Sequence, residues 1–365
     1  MQKPRLCFVG SMLGQNAGYI TTQGQITAEL FAAEGYDVTC VSSKINKLAR
    51  LAEIATVLIK NRHRLDLVLL EVYSGLSLVI ADLASLICRI FKLPLIMVLH
   101  GGNLPEFIEK YPRWTKRVLR RADCLVAPSP FLAKKIGEHG FEINIVSNVI
   151  ELDLYPFRER TKLAPRLLWM RSFHPIYNPQ MAIEVLTELR KNYPNATLYM
   201  AGVDKGLEPE IKKMVSERNL SDAVSFPGFL NMQQKALAFS ETDIFLNTNR
   251  TDNMPVSVVE ACACGMPVVS TNVGGLPFLI SHGENGLLVE NEKTSEMVAA
   301  VKSLLENSEL AQKLSRGGRI LAERAGWAAV RRDWENLFAI VLKKKAENSS
   351  PRFTPGELNI EKQKS

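Results

Sequence analysis

Cysteine is scarce in this sequence and follows no ligand pattern. The six cysteines in 365 residues stand at 7, 40, 88, 124, 262 and 264, and none forms a CxxC pair. Most sit in apolar runs, as buried free thiols of a reducing compartment do, so neither a disulfide frame nor a zinc site is expected. Long apolar runs are also missing. The most apolar window, about 72–88, carries Asp82 and falls short of the ~20 residues a membrane span needs. It reads as a buried helix. Met-Gln-Lys-Pro-Arg leads straight into Leu6-Cys7-Phe8-Val9 with no apolar stretch before a cleavage site, so a cytoplasmic protein is expected. No Gly-x-Gly-x-x-Gly follows this first strand-like run, which speaks against a nicotinamide dehydrogenase. No nucleic-acid readout module accompanies the basic residues.

The remaining composition is that of an ordinary globular chain, 46% hydrophobic and 23% charged. The length suits two domains, each able to bury its own core. The net charge of +7 permits anionic partners such as nucleotide phosphates or acidic lipid without choosing among them.

Strand and helix signals alternate, and they do so twice. Strand-like runs at 5–10, 37–42, 66–72, 94–99 and 123–127 are separated by helix-like runs near 21–34, 45–61, 75–91 and 111–121. Strands that are nearly continuous apolar runs, such as Leu95-Ile96-Met97-Val98-Leu99, suit a parallel sheet covered on both faces. The pattern repeats with strands near 166–170, 196–201, 223–226, 243–247 and 267–270 and helices near 179–193, 208–218, 231–240 and 255–264. This predicts an α/β chain of two Rossmann-like domains, 1–155 and 156–345, joined by a turn-rich stretch about 148–165 with a ligand cleft between their strand ends. Trp327 and Trp334 are seven apart on one helical face, and the last helix is expected to pack back on the N-terminal domain. Residues 346–365 are polar and read as a disordered tail.

The chemistry is expected in Thr251–Leu288. Pro255 suits the first turn of a helix and Gly265 its end. Glu260 then lies early in that helix, with its carboxylate tilted back toward ligand space in front of the helix. The free N–H groups of that terminus form a natural diphosphate site, beside which a carboxylate can take ribose hydroxyls. The alternative is that Glu260 merely complements the helix dipole.

The stretch resembles the retaining glycosyltransferases of family 4, which have the GT-B fold. The resemblance rests on Asp252, seven residues, then Glu260-Ala261-Cys262-Ala263-Cys264-Gly265-Met266-Pro267-Val268-Val269, followed by Gly274-Gly275 and Asn285-Gly286. It extends over about residues 5–340. It implies that Glu260 holds the donor ribose and that Asp252, standing where the family has Glu, lies against the donor sugar. It also implies that the backbone of Asn253, Met254, Pro255 and Val256 faces sugar or phosphate, with Gly274 and Gly275 completing the donor site. Arg171, after Leu167-Leu168-Trp169-Met170, matches the family's diphosphate-binding arginine, a role suited to a guanidinium. The lysine usual about six residues later is missing. Asn178 is a neutral candidate to replace it and Lys205 a charged one, although Lys205 also reads as a solvated loop residue. Gly18 matches part of a glycine-rich loop, with Tyr19 in place of its second glycine. His100, in Leu99-His100-Gly101-Gly102, matches the histidine that approaches the donor sugar. No Asp-x-Asp occurs, so leaving-group stabilisation without a metal is expected, with the nucleotide-diphospho-sugar as substrate and no cofactor.

The implied activity is transfer of a sugar to a carbohydrate or lipid-linked acceptor with retention, in cell-surface polysaccharide or glycolipid assembly. A nucleotide-sugar 2-epimerase of the same fold and a non-catalytic GT-B subunit remain alternatives. Basic residues flank the helical run 45–61 and cluster again at 113–121. Either could touch an anionic membrane peripherally or be an ordinary surface helix.

Overall fold

The computed structural model describes residues 3–14 and 21–349. It contains two six-stranded sheets. The N-terminal sheet comprises β1 (Leu6–Val9), β2 (Val38–Val41), β3 (Leu67–Val72), β4 (Leu95–Leu99), β5 (Cys124–Ala127) and β6 (Asn144–Ile145). The C-terminal sheet comprises β7 (Arg166–Met170), β8 (Thr197–Ala201), β9 (Val224–Gly228), β10 (Ile244–Asn247), β11 (Val268–Thr271) and β12 (Leu287–Val289). Every pairing within them is parallel.

Parallel strands need helical crossovers, and these cover both faces. All six residues of β3 are buried, and separate apolar clusters fill the two faces of each sheet. The strand orders are β2-β1-β3-β4-β5-β6 and β12-β11-β10-β7-β8-β9. Both are doubly wound orders, reversing between β1 and β3 in the first sheet and between β7 and β10 in the second. Ligands bind outside the carboxyl ends of strands at such switch points.

Two features differ from the sequence reading. The helix Trp327–Ser349 runs through residues 346–349, which were expected in the tail; residues 350–365 lie outside the described chain. This helix belongs spatially to the N-terminal domain. Val330, Trp334, Phe338 and Val341 join Phe8 and Phe31 in one cluster, and the Trp327 indole donates to Glu34 at 3.0 Å. The connecting stretch is also less free than its composition suggests. Arg160 is buried and donates to the carbonyls of Cys264 at 2.6 Å and Thr242 at 3.1 Å. Arg158 pairs with the buried Asp243 at 3.2 Å. The chain is therefore fixed to the C-terminal domain at Arg158 and Arg160, within the stretch expected to join the two domains.

Candidate functional site

A cleft of about 680 Å³ opens between the carboxyl ends of the two sheets. Its wall combines Gly14, Thr21 and Gln23 with Arg171, Ser172, Gly202 and the first turns of the helix Val256–Ala263. Val256 and Ser257 border it at that helix start, where N–H groups lack intrahelical acceptors. The Ser257 hydroxyl is buried with no hydrogen-bond partner.

Glu260 lies on the same wall, buried to 4% exposure. Its Oε1 accepts from the Tyr155 hydroxyl at 2.7 Å and from Lys235 Nζ at 2.9 Å. Burial and the adjacent carboxylate raise the Tyr155 pKa, so its proton stays on the phenol. Lys235 comes from the helix Met232–Glu241, whose start is fixed by a capping box between Asn231 and Gln234. It brings a cation to the cleft that sequence reasoning sought elsewhere. Lys205 is exposed in the loop after β8 and does not border the cleft. Asn178 is buried in a left-handed conformation, φ +47°, and its carbonyl accepts from Thr248 at 2.9 Å. It does not border the cleft either; its neighbour Tyr177 does.

Arg171 and Asp252, expected to meet different parts of a donor, are paired with each other. Asp252 is held twice more, by Asn249 Nδ2 at 2.6 Å and the Asn253 N–H at 2.8 Å. Arg171 lies over the Tyr177 ring, 4.8 Å from its centroid, with its Nε unpartnered. Arg171 borders the cleft, and Asp252 is not among the described residues that line it. Among the described residues lining the cleft, none of Asn253, Met254 and Pro255 appears, whereas Val256 does. The Asn253 side chain instead accepts from Ser129 of the N-terminal domain. Gly274 and Gly275 act through the same loop: an added Cβ would come within 2.1 Å of the Asp252 carbonyl oxygen or 1.7 Å of that of Asn253. Only glycine lets the two segments pass so closely.

His100 directly follows β4, at 8% exposure. It borders a smaller cavity of about 30 Å³, adjoining the main cleft through Gln23, which lines both. Burial pushes its pKa down to about 4, so the imidazole is neutral at physiological pH. Gly18 falls outside the described residues. Among the described residues, no three His, Cys, Asp or Glu side chains cluster so as to hold a metal ion.

Sequence reasoning missed Tyr155, Ser172, Lys235 and Ser257. Lys235 and Glu260 meet across 25 residues of chain, a pairing that only the fold reveals.

Residues 158–320 match the family model described as glycosyl transferases group 1. The match covers less than half of the chain and lies on the C-terminal sheet and its helices. The chain is 26% identical over 247 residues to a D-inositol 3-phosphate glycosyltransferase of Paenarthrobacter aurescens, a match covering 63% of this chain and 60% of that one. It is 25% identical over 258 residues to a glycogen synthase of Mycobacterium tuberculosis, covering 66% and 61%. These matches thus span about three-fifths of each relative's length. The whole GT-B fold is shared with sucrose-phosphate synthase of Thermosynechococcus elongatus, at TM-score 0.75, 17% identity and coverage of 94% and 100%. It is shared also with Anabaena Alr3699/HepE, solved in complex with UDP-glucose, at TM-score 0.67, 17% identity and coverage of 94% and 99%.

Proposed function

We propose that this chain is a retaining glycosyltransferase that moves a sugar from a nucleotide-diphospho-sugar to an acceptor hydroxyl. One observation carries the reading: Arg171, the start of the helix Val256–Ala263 and Glu260 line the same cleft. A cation and free N–H groups suit a diphosphate, and a buried carboxylate beside them suits ribose hydroxyls. The same-fold Anabaena protein is solved with UDP and with UDP-glucose, which agrees with such a donor.

In the proposed reaction the anomeric carbon–oxygen bond to the diphosphate breaks, leaving oxocarbenium character on the sugar. Arg171 and the helix N–H groups take up the charge that develops on the departing phosphate. The acceptor hydroxyl bonds to the anomeric carbon from the face just vacated, so configuration is kept, and its proton passes to the leaving phosphate. Asp252 holds Arg171 in place. Glu260 exchanges its contact with Lys235 for the ribose, freeing that ammonium for the phosphates. His100 faces the sugar from the N-terminal domain.

Incubation with nucleotide sugars tests this, with and without cell-envelope acceptors. The expected result is acceptor-dependent release of nucleoside diphosphate and a product of unchanged anomeric configuration by NMR. Interconverted nucleotide sugar without acceptor would instead make the protein a 2-epimerase.

We further propose that the acceptor is lipid-linked and that the N-terminal domain rests on anionic membrane. Ile45, Leu48, Leu76, Val79, Leu86 and Ile90 are exposed apolar side chains in and around the adjacent helices Lys47–Asn61 and Leu78–Ile90, Leu48 at 77%. Lys44, Arg50, Lys60 and Arg64 border this region in sequence. The second basic cluster is partly committed inward: Arg117, Arg121 and the Trp114 indole all donate to Asp82, at 2.8, 2.6 and 2.7 Å. No helix among the described residues is long and apolar enough to cross a membrane, so contact would be peripheral. The protein is expected to float with anionic vesicles and not with neutral ones, and to lose flotation in Leu48→Asp. Equal behaviour with both vesicles would refute the membrane contact.

A further inference from the structure

The N-terminal sheet holds a buried carboxyl that the proposed reaction does not use. Glu71 lies near the carboxyl end of β3, at the switch point beside β1. Its side chain is 3% exposed. Two glycines make room for it: a Cβ at Gly10 would fall 2.2 Å from Oε2, and one at Gly24 2.0 Å from Oε1. Oε2 accepts the Ser11 N–H at 3.3 Å. Oε1 has no hydrogen-bond partner and faces His100 Nε2 at 3.5 Å, which has none either. The Tyr73 ring stacks on the imidazole, centroids 5.0 Å apart and planes 18° from parallel, which fixes the ring plane. Glu71 and His100 both border the 30 Å³ cavity, and no other titratable side chain does among the described residues.

Two buried, unpartnered polar atoms aimed at each other form a pair whose strength depends on where the proton sits. We infer that Glu71 is a positioning residue for His100, and that its carboxyl decides which imidazole nitrogen carries the proton. When Glu71 is protonated, its hydroxyl donates to Nε2, and the neutral ring keeps its hydrogen on Nδ1. When Glu71 ionises, one proton leaves the pair. The ring hydrogen then resides on Nε2, donating to the carboxylate, and Nδ1 becomes an acceptor. The imidazole carries a single proton throughout.

Burial raises the Glu71 pKa to about 7, opposed by the nearby backbone N–H groups of Ser11 and Gly24, of which only that of Ser11 is hydrogen-bonded to the carboxyl, at Oε2. The exchange therefore falls near neutrality. The groups facing the carboxyl are the backbone of Ser11, just after β1, and of Gly24, in the helix Gln23–Ala33, with His100 just after β4 and the Tyr73 phenol just after its own strand, whose pKa is raised by burial. None of these side chains is cationic at pH 7, so the shift is not cancelled locally.

The catalytic consequence rests on the reading that His100 faces the donor sugar; the tautomer exchange itself does not. Histidine-selective 15N NMR of the full chain reads it directly, with the His100 signal assigned by its loss in His100→Gln. The expected result is a pH-dependent exchange of protonation between Nε2 and Nδ1, centred near 7, without imidazolium formation. Glu71→Gln, of the same shape, is expected to abolish that transition, and to remove the corresponding limb of the kcat–pH profile while KM for the donor is unchanged. A His100 tautomer constant from pH 5.5 to 8.5 in the native chain would overturn the inference, as would an unaltered transition in Glu71→Gln. The NMR needs no substrate, so a protein that shows the exchange but transfers no sugar would refute the transferase reading alone.

Discussion

Arg171→Ala is expected to lower sugar transfer by about 10²–10³-fold, the loss typical of removing one preorganised donor from a developing oxyanion. The loss should fall on kcat more than on KM, because the phosphate charge that Arg171 meets grows as the bond breaks. Stability should change little. Asp252 keeps its bonds from Asn249 and from the Asn253 N–H, so the carboxylate is not abandoned when the guanidinium goes. Arg171→Lys should fall between the two. It keeps the charge but loses the planar fork and the face that lies on Tyr177. Steady-state kinetics with one donor at saturating acceptor decides it. An alanine variant working at the native rate would remove Arg171 from the mechanism.

Glu260→Ala is expected to weaken nucleotide binding by about 10²-fold or more. Removing one member of a buried pair is a separate cost to the fold, about 3–5 kcal/mol, because the partner is left behind. Here two partners are left, Tyr155 and Lys235. The deleted carboxylate is also the proposed acceptor for the ribose hydroxyls. Glu260→Gln should be milder toward the fold, since an amide oxygen still accepts from Tyr155. It should still bind nucleotide less well, because a neutral amide is a weaker acceptor for ribose. The comparison separates a ligand role from a packing role. If the Gln variant binds as tightly as the native chain, the carboxylate charge is not part of donor recognition.

The sequence revealed the frame readily, and the reason is physical. Strands buried on both faces must be apolar throughout, so runs such as Leu95–Leu99 stand out. The helix carrying Glu260 was legible from Pro255 before it and Gly265 after it, the latter at φ +72°. Short or polar elements were not. β6 has two residues and β12 three, too few to show a period. The helices Leu104–Lys110 and Pro130–Gly137 lie in loops where no periodicity accumulates.

Positions at strand ends were legible, as for Arg171 after β7 and His100 after β4. Pairings were not legible. The Arg171–Asp252 contact joins residues 81 apart, and nothing in either segment announces it. The same holds for Lys235, read from sequence only as part of a helix. Glu71 did leave a trace, as the one charged residue inside the apolar run Leu67–Val72. A charge in a strand buried on both faces must be accounted for, and here the account is His100.

The central claim is that the cleft binds a nucleoside diphosphate between Arg171 and Glu260. Calorimetric titration of the full chain with a panel of nucleoside diphosphates tests it most directly. The account predicts saturable binding of at least one base, weakened about 10²-fold or more in Glu260→Ala. Native protein that binds no member of the panel, or a Glu260→Ala variant that binds as tightly as the native chain, would contradict it.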